Sequence, residues 1–138
     1  MEIIISKSEK NTKKIGKKIA KNLKNGDIVL LYGDLGAGKT VFVKGLASRF
    51  SKQPASSPSF AICNTYKGKK LSVHHFDLYR LKSENELYGF GGEEQLFGDG
   101  IKVVEWPERA HLEGKERCQI TIEKIDENTR RILVNWNN

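Results

Sequence analysis

Ile28-Val29-Leu30-Leu31-Tyr32-Gly33-Asp34-Leu35-Gly36-Ala37-Gly38-Lys39-Thr40 is the most informative run in this chain. Its first five residues are continuously apolar, as in a central parallel strand buried on both faces. The next eight satisfy the pattern GxxxxGK[ST] in full. Glycines let the backbone fold tightly and turn consecutive N–H groups toward anionic oxygens, and the following helix adds its positive N-terminal end. The Lys39 ammonium has the reach for β- and γ-phosphates, and the Thr40 hydroxyl can ligate Mg²⁺. Lys39 to Phe50 then repeats as a helix, with Val43, Leu46, Ala47 and Phe50 on its inner face. Strand, glycine loop and helix in this order predict a phosphate loop (P-loop) for a nucleoside triphosphate. Its cradle is Gly33, Gly36, Ala37, Gly38, Lys39, Thr40 and Val41.

On the N-terminal side, Glu2 to Ile5 reads as a short strand. A helix follows to Lys24, capped by Ser6 or Ser8, with Thr12, Ile15, Gly16, Ile19, Ala20 and Leu23 on one face and lysines on the other. Asn25-Gly26-Asp27 stops it. Beyond the P-loop helix, strands are predicted over Phe60 to Tyr66, Leu71 to Leu78 and Lys102 to Trp106. Short helical pieces fall at Ser83 to Tyr88 and Glu93 to Phe97. Cys118 to Ile125 and Arg130 to Trp136 alternate around Asp126-Glu127-Asn128, the pattern of an antiparallel hairpin. The expectation is one α/β domain over residues 1–138: a mostly parallel sheet, flanking helices and a small C-terminal hairpin.

A P-loop also needs an acidic partner for its metal, normally at the end of a neighbouring strand. Asp77 closes one predicted strand and Glu105 another. Each is a candidate metal ligand, direct or through water, or a carboxylate that orients the attacking water. No NKxD or DxxG string of a GTPase occurs, which favours ATP. His74 and His75 are adjacent, so at most one faces the site, and a packed or surface histidine is the commoner outcome. Trp106 is a candidate flank for the nucleotide. Arg80 is a candidate contact to phosphate or a partner.

The 138 residues carry a net charge of +7. Residues 1–24 alone hold eight lysines against Glu2 and Glu9, which leaves only +1 for the rest. The stripe lacks interleaved aromatics and is expected to be a solvated face. No apolar run approaches the roughly 20 residues of a membrane span. The start has no basic region before its apolar run and no cleavage site, so a secretory signal is not expected. Cys63 and Cys118 have no CxxC or Cys/His pairing around them, which argues against zinc and for reduced thiols in a cytoplasmic protein.

The P-loop is followed by Ser57-Pro58-Ser59-Phe60, His75-Phe76-Asp77-Leu78-Tyr79-Arg80-Leu81 and Glu105-Trp106-Pro107-Glu108. In that order, over Ile28 to Ala110, the chain resembles the TsaE family (older name YjeE), bacterial P-loop ATPases of tRNA threonylcarbamoyladenosine synthesis. The resemblance implies a compact P-loop NTPase fold binding ATP and Mg²⁺ through Lys39 and Thr40. It makes Glu105 the metal-facing acid, Asp77 a catalytically important aspartate, and Ser57 to Phe60 a loop that senses the γ-phosphate. It places Trp106 beside the nucleotide, the segment around Glu9 and Thr12 near the adenine, and Arg130 or Arg131 across the site. It also implies partners, TsaD and TsaB, which transfer the threonylcarbamoyl group to N6 of the adenosine 3′ of the anticodon in tRNAs reading A-starting codons. The ATPase would support that assembly and meet tRNA only through it. Two positions depart from the family pattern. Ser59 stands where threonine is usual and keeps the hydroxyl; Val41 replaces a frequent second threonine and keeps only its backbone N–H. A small-molecule kinase, and a nucleotide-dependent binding module with negligible turnover, are the alternative readings. Only six arginines and no lid-like segment speak against the kinase.

Overall fold

The computed structural model of the chain describes residues 1–56, 62–89 and 91–137. The elements are β1 (Glu2–Ser6), α1 (Glu9–Ala20), β2 (Ile28–Tyr32), α2 (Lys39–Ser48), β3 (Cys63–Tyr66) and β4 (Val73–Asp77). They continue with α3 (Glu84–Gly89), α4 (Gly92–Leu96), β5 (Ile101–Glu105), a 3₁₀ turn (Pro107–Arg109), β6 (Cys118–Lys124) and β7 (Arg130–Trp136). One sheet of seven strands runs in the order β1-β7-β6-β2-β5-β4-β3. Its centre, β6-β2-β5-β4, is parallel throughout, and antiparallel pairs join only toward the two edges. Val29 and Leu31 point into the core beneath α1 and α2, while Ile28 and Leu30 point into the core beneath α3, α4 and the 3₁₀ turn. Burial on both sides is what the unbroken apolar run of β2 requires.

The C-terminal hairpin is more than an addition at the end. β6 lies directly beside β2, parallel to it, with Leu31 opposite Ile120. β7 then carries β1 on its outer side. Without β6 the central strand would present a row of unpaired N–H and C=O groups to solvent. Ile120, Ile122, Ile132 and Val134 also complete the core under α1 and α2.

α1 is capped by the Ser8 side chain, which accepts the Asn11 N–H at 3.0 Å. It ends at Ala20, short of the predicted Lys24. The N–H groups of Lys21, Asn22 and Leu23 turn to carbonyls three residues back, and the Asp27 carboxylate takes the Lys24 N–H at 2.7 Å. Short-range bonds of this kind tighten and close the last turn. The predicted strand from Phe60 begins, within the described residues, at Cys63. Burial pushes the Cys118 thiol up to about 12 and the Cys63 thiol to about 11, so both are neutral.

α1 and α2 meet backbone to backbone. A Cβ added at Gly45 would lie 2.0 Å from the Lys13 carbonyl oxygen, and one at Gly16 would lie 2.5 Å from that of Phe42. Gly45→Ala is therefore expected to destabilise the protein, although alanine is the better helix former by about 1 kcal/mol. The clash is with backbone, which no rotamer relieves, and overpacking of this kind costs about 1–3 kcal/mol. The midpoint of urea unfolding checks it, and an unchanged or raised midpoint would refute the close-packing argument.

Candidate nucleotide site

The loop between β2 and α2 takes the backbone shape that its glycines permit. Gly36 and Gly38 have φ of 81° and 102°, and Gly38 stands at the N-cap of α2 without a side chain to cap it. Among the described residues, the N–H groups of Gly36, Gly38, Lys39 and Thr40 have no protein acceptor. Unpaired donors gathered at a helix N-terminus form an anion cradle. Lys39 is only 6% exposed, yet its Nζ donates to the Gly33 carbonyl at 2.6 Å. The same ammonium is 3.9 Å from Glu105 Oε1 and 4.2 Å from the centre of a Trp106 ring.

The parallel register of β4 and β5 sets Asp77 directly opposite Glu105, so both carboxylates end neighbouring strands on the side covered by α1 and α2. Glu105 is buried, and its Oε2 is 2.5 Å from His75 Nε2. His75 Nδ1 is 3.0 Å from the Tyr66 hydroxyl, which donates to the Ser56 carbonyl at 2.6 Å. A buried polar chain thus joins Glu105, His75 and Tyr66 to the residue before Ser57. Asp77 is half-buried and its Oδ1 accepts the Tyr79 N–H at 3.0 Å. Burial raises its pKa, the neighbouring Glu105 charge adds to the rise, and the Tyr79 hydrogen bond opposes it. Trp106 has φ 56°, a left-handed backbone that is strained for a large side chain. Its indole lies across the site, with the Tyr79 ring 4.9 Å away.

These groups border a cleft of about 600 Å³. The P-loop contributes Gly36, Gly38, Lys39, Thr40 and Val41. The strand ends contribute Asp77, Glu105 and Trp106, and α1 and β7 contribute Glu9, Thr12 and Arg130. Gly33 and Ala37 border a second cleft of about 630 Å³ across the loop, which lacks Thr40, Asp77 and Glu105. Ser57, Pro58, Ser59 and Phe60 lie outside the described residues. Arg130 and Arg131 are sharply different: Arg130 Nε donates to the Ala37 carbonyl at 2.7 Å, whereas Arg131 pairs with Glu123 on the exposed surface. Arg80 is exposed and does not border the cleft.

His75 is a packed histidine, the commoner outcome expected from the sequence, but it packs against Glu105. Strand alternation alone pairs it with Asp77, two residues on, and so singles it out over His74. Tyr66, buried behind the site, and the Glu127–Asn128 turn at the cleft's rim come from parts of the chain distant from the P-loop, whereas Tyr79 at the rim follows Asp77 by two residues. Among the described residues no group of three or more His, Cys, Asp or Glu clusters for a metal, and no helix is long and apolar enough to cross a membrane.

The family described as "Threonylcarbamoyl adenosine biosynthesis protein TsaE" matches residues 6–132. The tRNA threonylcarbamoyladenosine biosynthesis protein TsaE of Rickettsia felis is 43% identical over 131 residues, covering 93% of this chain and 76% of that one. The TsaE protein of Bacillus subtilis is 40% identical over 126 residues, covering 88% and 77%. The crystal structure of Bacillus subtilis YdiB superposes with a TM-score of 0.78 at 32% identity, covering 99% of this chain and 86% of that one. With a P-loop NTPase fold and this match along nearly its whole length, the chain belongs to the TsaE family of tRNA threonylcarbamoyladenosine biosynthesis proteins.

Proposed function

We infer that this protein is a single-domain, Mg²⁺-dependent cytoplasmic ATPase. Its slow hydrolysis supports threonylcarbamoyl transfer by TsaD and TsaB to the adenosine 3′ of the anticodon, and it does not itself perform the transfer. The observation that carries this reading is the convergence of Lys39, the unpaired P-loop N–H groups and the Asp77–Glu105 pair on one cleft.

The residues fit a nucleotide and a hard cation. Lys39 and the loop N–H groups supply fixed positive potential for phosphate oxygens, with no reorganisation needed at the moment of reaction. The Thr40 hydroxyl and the Glu105 and Asp77 carboxylates are the oxygens available to Mg²⁺, which normally keeps several water and phosphate ligands and takes few from the protein. Bound Mg²⁺ would supply charge neutralisation at the transferring phosphoryl group. His75 holds the Glu105 carboxylate in a single orientation from behind. Asp77 is proposed to orient a water, a role supported by its position at the cleft and its partial exposure. Arg130 clamps the loop through the Ala37 carbonyl, and the Trp106 indole shields the Lys39 side of the cleft. Ser57, Pro58, Ser59 and Phe60 follow the Ser56 end of the buried polar chain and are proposed to sense the γ-phosphate.

The test is ATP turnover with and without purified TsaB and TsaD. Turnover is expected to be slow alone, faster with the partners, and to need more Mg²⁺ after Thr40→Ala. Turnover indifferent to both Mg²⁺ and the partners would overturn the reading.

A further inference from the structure

Beyond residue 24 the chain looks nearly neutral only because two opposite halves are averaged. Residues 25–72 hold seven Lys and Arg against two Asp and Glu, and residues 73–138 hold nine against thirteen. The fold separates the two signs. Glu84, Glu86, Glu93 and Glu94 lie on α3 and α4, which cover one face of the sheet, while the lysines of α1 and α2 cover the other.

On that second face the Gly16–Gly45 contact draws α1 and α2 together, so lysines from separate helices share one groove of about 710 Å³. Lys10, Lys13, Lys14 and Lys17 come from α1, Lys44 from α2 and Lys52 from the segment after it. The β3–β4 turn is stitched alongside: Ser51 Oγ donates to the Lys67 carbonyl, and the Lys67 N–H donates to Gln53 Oε1, both at 2.6 Å. An adjoining groove therefore adds Arg49, Lys67, Lys69 and Lys70, with Lys52 shared between the two. All ten side chains are exposed, and among the described residues none is ion-paired. Like charges crowded without counter-charges repel one another, so the band is electrostatically complete only against a polyanion.

We propose that this lysine band binds the phosphate backbone of tRNA directly, as a sequence-independent contact separate from the nucleotide cleft. α1 repeats its lysines about once per 5.4 Å turn, which suits a row of phosphates. Phe50 lines the adjoining groove but packs against the core beneath it, so lysines supply the contact, which makes it one of position and not of sequence. A membrane surface is disfavoured because the apolar face of α1 is turned inward against the sheet and leaves nothing to insert. The tRNA in the names of the chain's relatives supplies the matching polyanion. No band residue borders the nucleotide cleft, so the contact stands whether or not the ATPase reading does.

The experiment is fluorescence anisotropy of an unmodified tRNA transcript against the full chain over a series of salt concentrations. Micromolar affinity is expected, with log Kd rising with log salt at a slope of about 3 or more, the signature of several phosphate contacts. K13E/K17E/K44E should weaken binding by about tenfold or more and flatten that slope by about 2. The control K82E/K115E, on the other face, should have a much smaller effect. A matching Lys→Gln triple variant covers the case in which charge reversal impairs folding, and ATP titration of every variant reads the nucleotide site separately. Absence of wild-type binding at low salt, or equal losses in the triple variant and the control, would overturn the proposal. Tighter binding to phosphatidylcholine–phosphatidylserine vesicles than to tRNA would do the same.

Discussion

Lys39→Ala is expected to remove measurable ATP binding and to lower hydrolysis by about two to three orders of magnitude. Lys39 is the cation buried deepest in the cleft, held between the Gly33 carbonyl, the Glu105 carboxylate and the Trp106 ring. Its charge acts where water is largely excluded, and there a fixed ammonium is worth far more than on the surface. Two arginines calibrate the result. Arg131→Ala removes a surface pair with Glu123 and should change nothing at the cleft. Arg130→Ala frees the Ala37 carbonyl and the 126–127 turn and should give an intermediate loss. Calorimetric titration with a non-hydrolysable ATP analogue, followed by single-turnover hydrolysis, separates binding from chemistry. Wild-type affinity in Lys39→Ala would move the nucleotide site elsewhere.

His75→Leu should be nearly as damaging, by another route. His75 is a positioning residue: it is fully buried and bonded to both Glu105 and Tyr66. Leucine leaves the Glu105 carboxylate buried without its nearest partner, and breaking such a pair costs about 3–5 kcal/mol. Hydrolysis is expected to fall by about 10- to 100-fold, the usual effect of removing a group that orients a metal-facing ligand. The Mg²⁺ concentration for half-maximal rate should rise as well, which a purely structural lesion would not produce. His75→Gln retains a donor and should recover part of both losses. Urea unfolding and Mg²⁺ titration of the two variants decide the matter. A His75→Leu protein with wild-type stability and Mg²⁺ dependence would show that the buried chain is incidental.

The nucleotide cradle was legible because it is local. Residues 28–40 are contiguous, and their apolar run, glycines and cap dictate strand, turn and helix before any distant contact forms. Asp77 and Glu105 could be nominated as strand ends, but their pairing depends on the β4–β5 register. That β5 lies between β2 and β4 follows from packing against both cores. His75 was recoverable by alternation once Asp77 was assigned to the cleft. Its bond to Glu105 needed the register as well.

The terminal hairpin shows the boundary most clearly. Its two strands and its turn were written in the alternation around Asp126-Glu127-Asn128. Nothing nearby in sequence announced that β6 would seat itself beside β2 and bring Arg130 to the P-loop carbonyl of Ala37. The charge followed the same division. The spacing of α1 places each of its lysines on an outer face, and that helix by itself implies no more than a solvated face. Only the Gly16–Gly45 approach and the Ser51–Lys67 stitch gather lysines from three separate segments into one band. Periodicity and turn chemistry act over a few residues and can be read from one segment. Strand order, the choice between Arg130 and Arg131, and the joining of charged surfaces depend on contacts between segments far apart in the chain, which the burial of a shared core selects.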